Sequence, residues 1–395
     1  MKNNNQLGIY IHIPFCVQKC VYCDFLSASA TKEIQNEYIR ALFVEIRLLA
    51  QRYKDEDYEV DSIFIGGGTP SVIEPELIDE VLLEVRKGFN INEYAEITIE
   101  CNPGTLSENK AFSYRNSGIN RISFGLQSCD NKELKMLGRI HTIEEFRESF
   151  SLARNYGFNN INIDIMTGLP GQNIERLSKT VNTVLAFKPE HISAYGLIIE
   201  EGTPLFNNLS KYPAIPDDEL DREMYAKTSD SIKKAGYKQY EISNYAKPGY
   251  ECVHNLKYWE CKEYLGFGIG AASFINKTRY SNIRDIKKYI ATLNCSKPDV
   301  SNIWQDIEHL TVNDAKEEFV FLGLRKIEGI SITKYKEYFD QDIYEQYKEA
   351  IESNINKGLL ILEDNRLKLT RLGIDVSNSV MSDFIIWFSK MSFLE

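Results

Sequence analysis

The chain has 395 residues, 43% hydrophobic and 26% charged, the composition of an ordinary globular protein long enough for one large domain and a smaller one. Its formal net charge of −11 argues against a nucleic-acid partner, since phosphate backbones select a basic surplus or stripe. No run approaches the roughly 20 apolar residues that span a bilayer, and Met1-Lys2-Asn3-Asn4-Asn5 lacks a signal core. The expectation is therefore a reducing cytoplasm, where clustered cysteines read as metal ligands.

From the N-terminus, the first expected strand, Leu7–Ile13, runs into Pro14-Phe15 and a loop carrying Cys16, Cys20 and Cys23. Three thiolates on one loop are one ligand short of a closed four-thiolate site. A [4Fe–4S] cluster held this way keeps one iron free of protein ligands, a position where a substrate or cofactor can bind. Half of a zinc site, completed from elsewhere in the chain, is the alternative. A helix of about Lys32–Tyr53 follows, with Ile34, Tyr38, Leu42, Ile46 and Leu49 on one face. Strand Asp61–Gly66 leads into Gly66-Gly67-Gly68-Thr69-Pro70, and Pro75 opens the next helix. Strand Glu96–Cys101 ends at Glu100-Cys101-Asn102-Pro103 and precedes a helix over Ser107–Asn116. Strand Arg121–Leu126 is followed by Gln127, and strand Asn160–Ile165 carries Asp164 near its end. Helices over Thr142–Tyr156 and Ile174–Ala186, strand His191–Gly196 and helix Pro216–Ala235 complete the alternation.

Strand–helix repetition builds a parallel sheet with right-handed crossovers, and six units predict an α/β fold with a partial (β/α)6 barrel. Such barrels carry their sites at the C-terminal ends of the strands. The glycine run bares backbone amides to a ligand. Glu100 can pair with an ammonium, Asp164 can accept from ribose hydroxyls, Arg139 can grip a carboxylate and Tyr10 can reach the barrel mouth. The plainer alternatives are a simple turn at Gly66–Pro70 and helix caps at the acidic residues. Cys101, Cys129, Cys261 and Cys295 read as buried small hydrophobes, and His12 as a hydrogen-bonded strand histidine.

The expected domains are a barrel over residues 1–245, a connecting region over 246–300 and a C-terminal helical, winged-helix-like domain over 301–395. In the last, Asp314–Ile327 and Asp342–Asn356 read as helices, Leu359–Glu363 and Arg366–Thr370 as a hairpin, and Ile374–Phe388 as a final helix. Residues 314–395 carry 11 Lys/Arg against 15 Asp/Glu, so this module suits docking better than DNA. Phe384–Phe388 with Phe393 and Leu394 forms an apolar end, expected to pack on its own domain.

The cysteine loop resembles that of radical S-adenosylmethionine (SAM) enzymes. Tyr10-Ile-His-Ile-Pro-Phe-Cys16, Gly66–Pro70, Glu100–Pro103, Phe124-Gly-Leu-Gln127, Asp164 and Leu169-Pro170 resemble the family of the anaerobic coproporphyrinogen III oxidase. The resemblance runs nearly end to end. It implies that Cys16, Cys20 and Cys23 hold the cluster. It further implies that Tyr10, Gly67, Gly68, Thr69, Glu100, Gln127, Arg139 and Asp164 contact SAM, with Tyr22, Asp24 and Gly196 contributing beside the cluster and the adenine.

Three departures separate the chain from the oxidase type. Asp24-Phe25 stands where that type has a further cysteine, and only nine residues precede Tyr10 where it has a long extension. His254-Asn255-Leu256-Lys257-Tyr258-Trp259 resembles the motif of the heme-chaperone type. A neutral imidazole suits heme iron, and Tyr and Trp offer flat faces to a macrocycle. The plain reading of this motif is a structural turn packing Trp259 into the barrel wall. The resemblance implies heme as cargo, respiratory membrane proteins as acceptors, transient contact with the inner face of the membrane and a heme-induced homodimer. Oxidative decarboxylation of coproporphyrinogen III is the alternative.

Overall fold

Ile and Phe alternate with polar residues along the first six strands, and that alternation assigns each strand two faces. The computed structural model describes residues 5–385. In it β1 (Gln6–Ile13), β2 (Glu59–Gly67), β3 (Asn90–Cys101), β4 (Arg121–Gln127), β5 (Ile161–Thr167) and β6 (His191–Gly196) pair in parallel, each with the next. Ile9, Ile11, Ile63, Ile65, Ile99, Ile122, Phe124 and Ile163 are fully buried in the main core. Each contributes about 1.5–3 kcal/mol by leaving water. The opposite face is polar and surrounds the barrel lumen.

The connections are the expected helices, among them Lys32–Arg52, Pro75–Gly88, Ile143–Asn155, Ile174–Phe187 and Asp218–Lys234. Thr31, Thr142, Asn173 and Asp217 cap four of these with side-chain acceptors, which sets where each crossover begins.

The sheet is wider than six strands. On the β6 side it gains β7 (Lys238–Gln239) and β8 (Asn244–Ala246); on the β1 side it gains β9 (Tyr264–Phe267), β10 (Ala272–Ile275), β11 (Thr278–Asn282) and β12 (Trp304–His309). β9 lies parallel to β1, and the strands beyond it are antiparallel. Residues expected to form a mere connector thus build one edge of the sheet. Leu265, Phe267 and Tyr280 belong to the main core.

A buried carboxylate fastens this edge. Glu45, on the Lys32–Arg52 helix, accepts from Gly268 N at 2.8 Å, from Asn282 Nδ2 at 2.6 Å and from the Tyr289 hydroxyl. Tyr38 beside it donates to His12 O at 2.7 Å and accepts from Ile269 N at 3.2 Å. The end of β1, from which the cysteine loop departs, is therefore held from both sides.

The C-terminal module packs helices Val312–Gly323, Ile332–Phe339 and Ile343–Asn356 around a three-stranded sheet of Ile330–Ser331, Arg366–Leu369 and Leu360–Glu363. Its separate core includes Val320, Leu324, Tyr335, Ile351 and Leu367. The final helix expected over Ile374–Phe388 is instead two short ones, Arg371–Asp375 and Ser377–Ser382. Val376 between them has φ −122° and ψ 29° and ends the first. Trp387, Phe388, Phe393 and Leu394 lie outside the described residues.

Candidate functional site

The polar strand faces, the cysteine loop and the Val253–Trp259 helix enclose one cavity of about 630 Å³. Every residue expected to touch the cluster, SAM or heme lines it, except Trp259. Strand polarity explains most of the convergence, because the rim residues leave the C-terminal halves of β1–β6 or the segments beyond them, while His254 and Tyr258 come from the helix opposite.

The loop is held by backbone. Cys16 N donates to Ala28 O at 3.1 Å, Val21 N to Leu137 O at 3.1 Å and Cys23 N to Cys20 O at 3.3 Å. Cys16 Sγ lies 3.5 Å from Thr69 Oγ1, and Arg139 Nη1 lies 3.6 Å from Cys20 Sγ. All three thiols are partly exposed and unpaired by disulfides. Among the described residues no three His, Cys, Asp or Glu side chains are gathered around a single metal-ion position. An iron–sulfur cubane asks for something different, because each thiolate binds its own iron. Three spaced thiols facing one cavity, with Arg139 beside them, fit that group; the amides of the glycine run, expected to be bare, are instead taken, Gly67 N by Glu100, Gly68 N by Ile13 O at 2.9 Å and Thr69 N by Phe15 O at 2.8 Å.

The glycine run meets a steric demand. Gly67 has φ +111°, and a Cβ there would stand 2.4 Å from the His12 ring. A Cβ on Gly68 would meet the carbonyls of Phe15 and Ile13 at 2.8 and 2.9 Å. Only glycine lets this backbone reach the loop. Glu100 is fixed by accepting from Gly67 N at 3.0 Å. Burial, and then the Asp164 charge, push its carboxyl up to about 7. Asp164 accepts from Asn162 Nδ2 at 2.7 Å. Arg139 donates to Asn102 Oδ1 at 2.7 Å and to Gly125 O, and Asn102 Nδ2 reaches Thr69 Oγ1 at 2.8 Å. Gln127 sits at φ +70° and accepts from the Tyr195 hydroxyl at 3.0 Å. Tyr10 reaches His12 Nδ1 at 3.0 Å, and His12 Nε2 lies 2.8 Å from Leu26 O, so His12 is a satisfied strand histidine.

The opposite wall is the Val253–Trp259 helix. His254 is buried, its ring stacked on Phe64 with centroids 5.4 Å apart. Its Nδ1 lies 3.0 Å from Ser62 Oγ and its Nε2 2.9 Å from the Tyr258 hydroxyl. Both nitrogens are occupied. Burial, with Lys257 and Arg121 nearby, lowers its pKa to about 3, so the imidazole is neutral. Trp259 points away, because the Arg325 guanidinium of the C-terminal module lies 4.4 Å from its ring centroid. It packs against the C-terminal module, whereas the structural reading of the motif expects it in the barrel wall. Two cysteines differ from expectation: Cys295 is exposed in the turn after the Ile286–Leu293 helix, and Cys261 is only partly buried.

Several cavity residues were not anticipated, notably Phe64, Arg121, Ser123, Asn162, Ser193 and Asn244. Period-two alternation was the available signal, since Arg121 and Ser123 share a face with Gln127, and Asn162 shares one with Asp164.

Residues 10–184 match the family model described as Radical SAM superfamily, and residues 310–376 the one described as HemN C-terminal domain. Heme chaperone HemW of Bacillus subtilis is 34% identical over 378 residues, 95% of this chain and 98% of that one. HemW of Escherichia coli is 41% identical over 270 residues, 67% of this chain and 69% of that one. Among solved structures, coproporphyrinogen III oxidase (HemN) from Escherichia coli, a radical SAM enzyme, matches with a TM-score of 0.84. That likeness covers 96% of this chain and 90% of that one at 22% identity, and it is a likeness of fold.

Proposed function

We propose that this chain, which belongs to the HemW family of the radical SAM superfamily, is a heme chaperone whose rim carries the cofactors and whose Val253–Trp259 helix receives heme. Membership of the superfamily implies a [4Fe–4S] cluster and SAM. In this reading Cys16, Cys20 and Cys23 hold the cluster. Tyr10, Gly67, Gly68, Thr69, Glu100, Gln127, Arg139 and Asp164 orient SAM, with Tyr22, Asp24 and Gly196 beside them. When bound, the cluster supplies one electron for cleaving the SAM sulfonium. The chain's own part is to orient that cofactor and to shield it: ionised Glu100 takes the ammonium, the Cβ-free Gly67–Gly68 backbone leaves room for the methionyl end and Asp164 accepts from ribose.

The observation that carries the heme reading is that His254, a neutral imidazole, lines the same cavity as the rim. Its Nε2 would be the nitrogen available to hold heme iron, were the Tyr258 hydroxyl to turn aside. Delivery to respiratory membrane proteins and a heme-induced homodimer complete the proposal. No helix among the described residues is long and apolar enough to cross a membrane, so membrane contact is proposed as peripheral. The domain proposal keeps a barrel from residue 1, the heme motif within 246–300 and a C-terminal module, with β9–β12 joined to the barrel's sheet so that the module begins at the Val312–Gly323 helix rather than at 301.

Anaerobically reconstituted protein tests the proposal when offered heme and coproporphyrinogen III in parallel. The expected result is retention of heme, its transfer to an apo-cytochrome and no protoporphyrinogen. Decarboxylated product with no heme transfer would overturn it in favour of the oxidase.

A further inference from the structure

At the floor of the cavity the first inward residue of β4 is an arginine. Arg121 is 2% exposed and pairs in register with Thr98 on β3. A guanidinium offers five donors. Among the described residues this one makes a single long contact, Nη1 to Thr98 Oγ1 at 3.5 Å. Its Nε has no hydrogen-bond partner and lies 3.9 Å from Glu96 Oε2. Glu96 is engaged elsewhere, its Oε1 accepting from His254 N at 3.3 Å and from the Cys252 thiol at 3.4 Å.

The neighbours show the contrast. Asn162 bonds Ser123 at 2.8 Å, Asp164 at 2.7 Å and His191 at 2.6 Å, and His191 reaches the Tyr240 hydroxyl at 2.8 Å. Asp164, the other carboxylate near the floor, is turned to Asn162 and Ser123. A buried cation with so few hydrogen bonds is costly unless something else completes it. A planar carboxylate from a ligand does so with two parallel hydrogen bonds, the geometry that a guanidinium fork matches.

We propose that Arg121 forms a carboxylate subsite at the cavity floor, which takes a propionate of the porphyrin whose iron faces His254. The assignment rests on the heme reading above. His254 and Arg121 line the same cavity, so one ligand can be held at its metal and at its edge. The ring contacts bind the macrocycle, and Arg121 sets which edge enters first.

The test compares heme with heme dimethyl ester, whose propionates are masked, by absorbance titration of wild type, Arg121→Gln, Arg121→Lys and His254→Ala. Wild type is expected to bind heme about tenfold to a hundredfold more tightly than the ester, the span of one charge-assisted bidentate contact. That ratio is expected to fall to near unity in Arg121→Gln and to survive in part in Arg121→Lys, while His254→Ala weakens both ligands alike. Equal binding of heme and ester by wild type overturns the subsite and leaves the heme reading standing. Failure of wild type to bind either one overturns both. If Arg121→Gln does not fold by circular dichroism, the wild-type ratio and Arg121→Lys decide.

Discussion

The rim and the Val253–Trp259 helix face each other across one cavity and are built in opposite ways. On the rim, thiols free of disulfides, the Cβ-free Gly67–Gly68 backbone and ionisable Glu100 and Asp164 are locked in place yet line the cavity. On the helix wall the one candidate iron ligand, His254, has both ring nitrogens engaged. A pre-organised wall binds without reorganising; a saturated wall must break a hydrogen bond worth about 0.5–1.5 kcal/mol before it can bind. The first suits a resident cofactor, and the second suits cargo that has to be released.

The largest effect that could break this contrast is on the rim. Cys16→Ser, Cys20→Ser or Cys23→Ser is expected to abolish bound iron and sulfide while leaving heme binding at the other wall. Loss of both together would show that the walls are not independent.

Glu100 sharpens the rim side. Its carboxyl is pushed up to about 7 by burial, so near neutral pH it is partly protonated, whereas an ammonium partner requires it ionised. SAM binding must therefore release a proton, and affinity should fall by up to roughly tenfold per pH unit below that value. Calorimetry in buffers of different ionisation enthalpy measures the proton. In Glu100→Gln the pH dependence should vanish and affinity should drop.

Tyr258→Phe probes the helix wall with a smaller change of opposite sign. Removing the hydroxyl that occupies Nε2 should raise heme affinity by about fivefold, the equivalent of about 1 kcal/mol. A fall would mean that Tyr258 serves the ligand rather than competing with it.

The smallest effect belongs to Trp259. Its ring lies under Arg325, so Trp259→Phe should leave heme binding unchanged and cost about 1 kcal/mol of packing between the modules, read as a slightly lower Tm.

The two walls also differed in how far the sequence disclosed them. The C-terminal ends of the parallel strands were legible to within a few residues because Ile-rich runs end at Gly, Pro or Asn, although β3 begins six residues before its expected start, and strand polarity with the family resemblance pointed to the rim. β9–β12 escaped notice because they are only four to six residues long, and in β12 the one aliphatic residue, Ile307, stands exposed. Arg121 and Asn162 read as ordinary strand positions until the register of β3–β5 placed them on one floor. His254 was recognisable as a residue type, but its saturation depends on Ser62, 192 residues away in sequence, which no local pattern reports.

The most direct measurement is a heme titration of protein already loaded with cluster and radiolabelled SAM, wild type beside His254→Ala. The account predicts that wild type takes up heme without releasing SAM and that His254→Ala loses most of that binding while keeping SAM. A His254→Ala protein that binds heme as wild type does, or heme that expels SAM from the wild type, would contradict it.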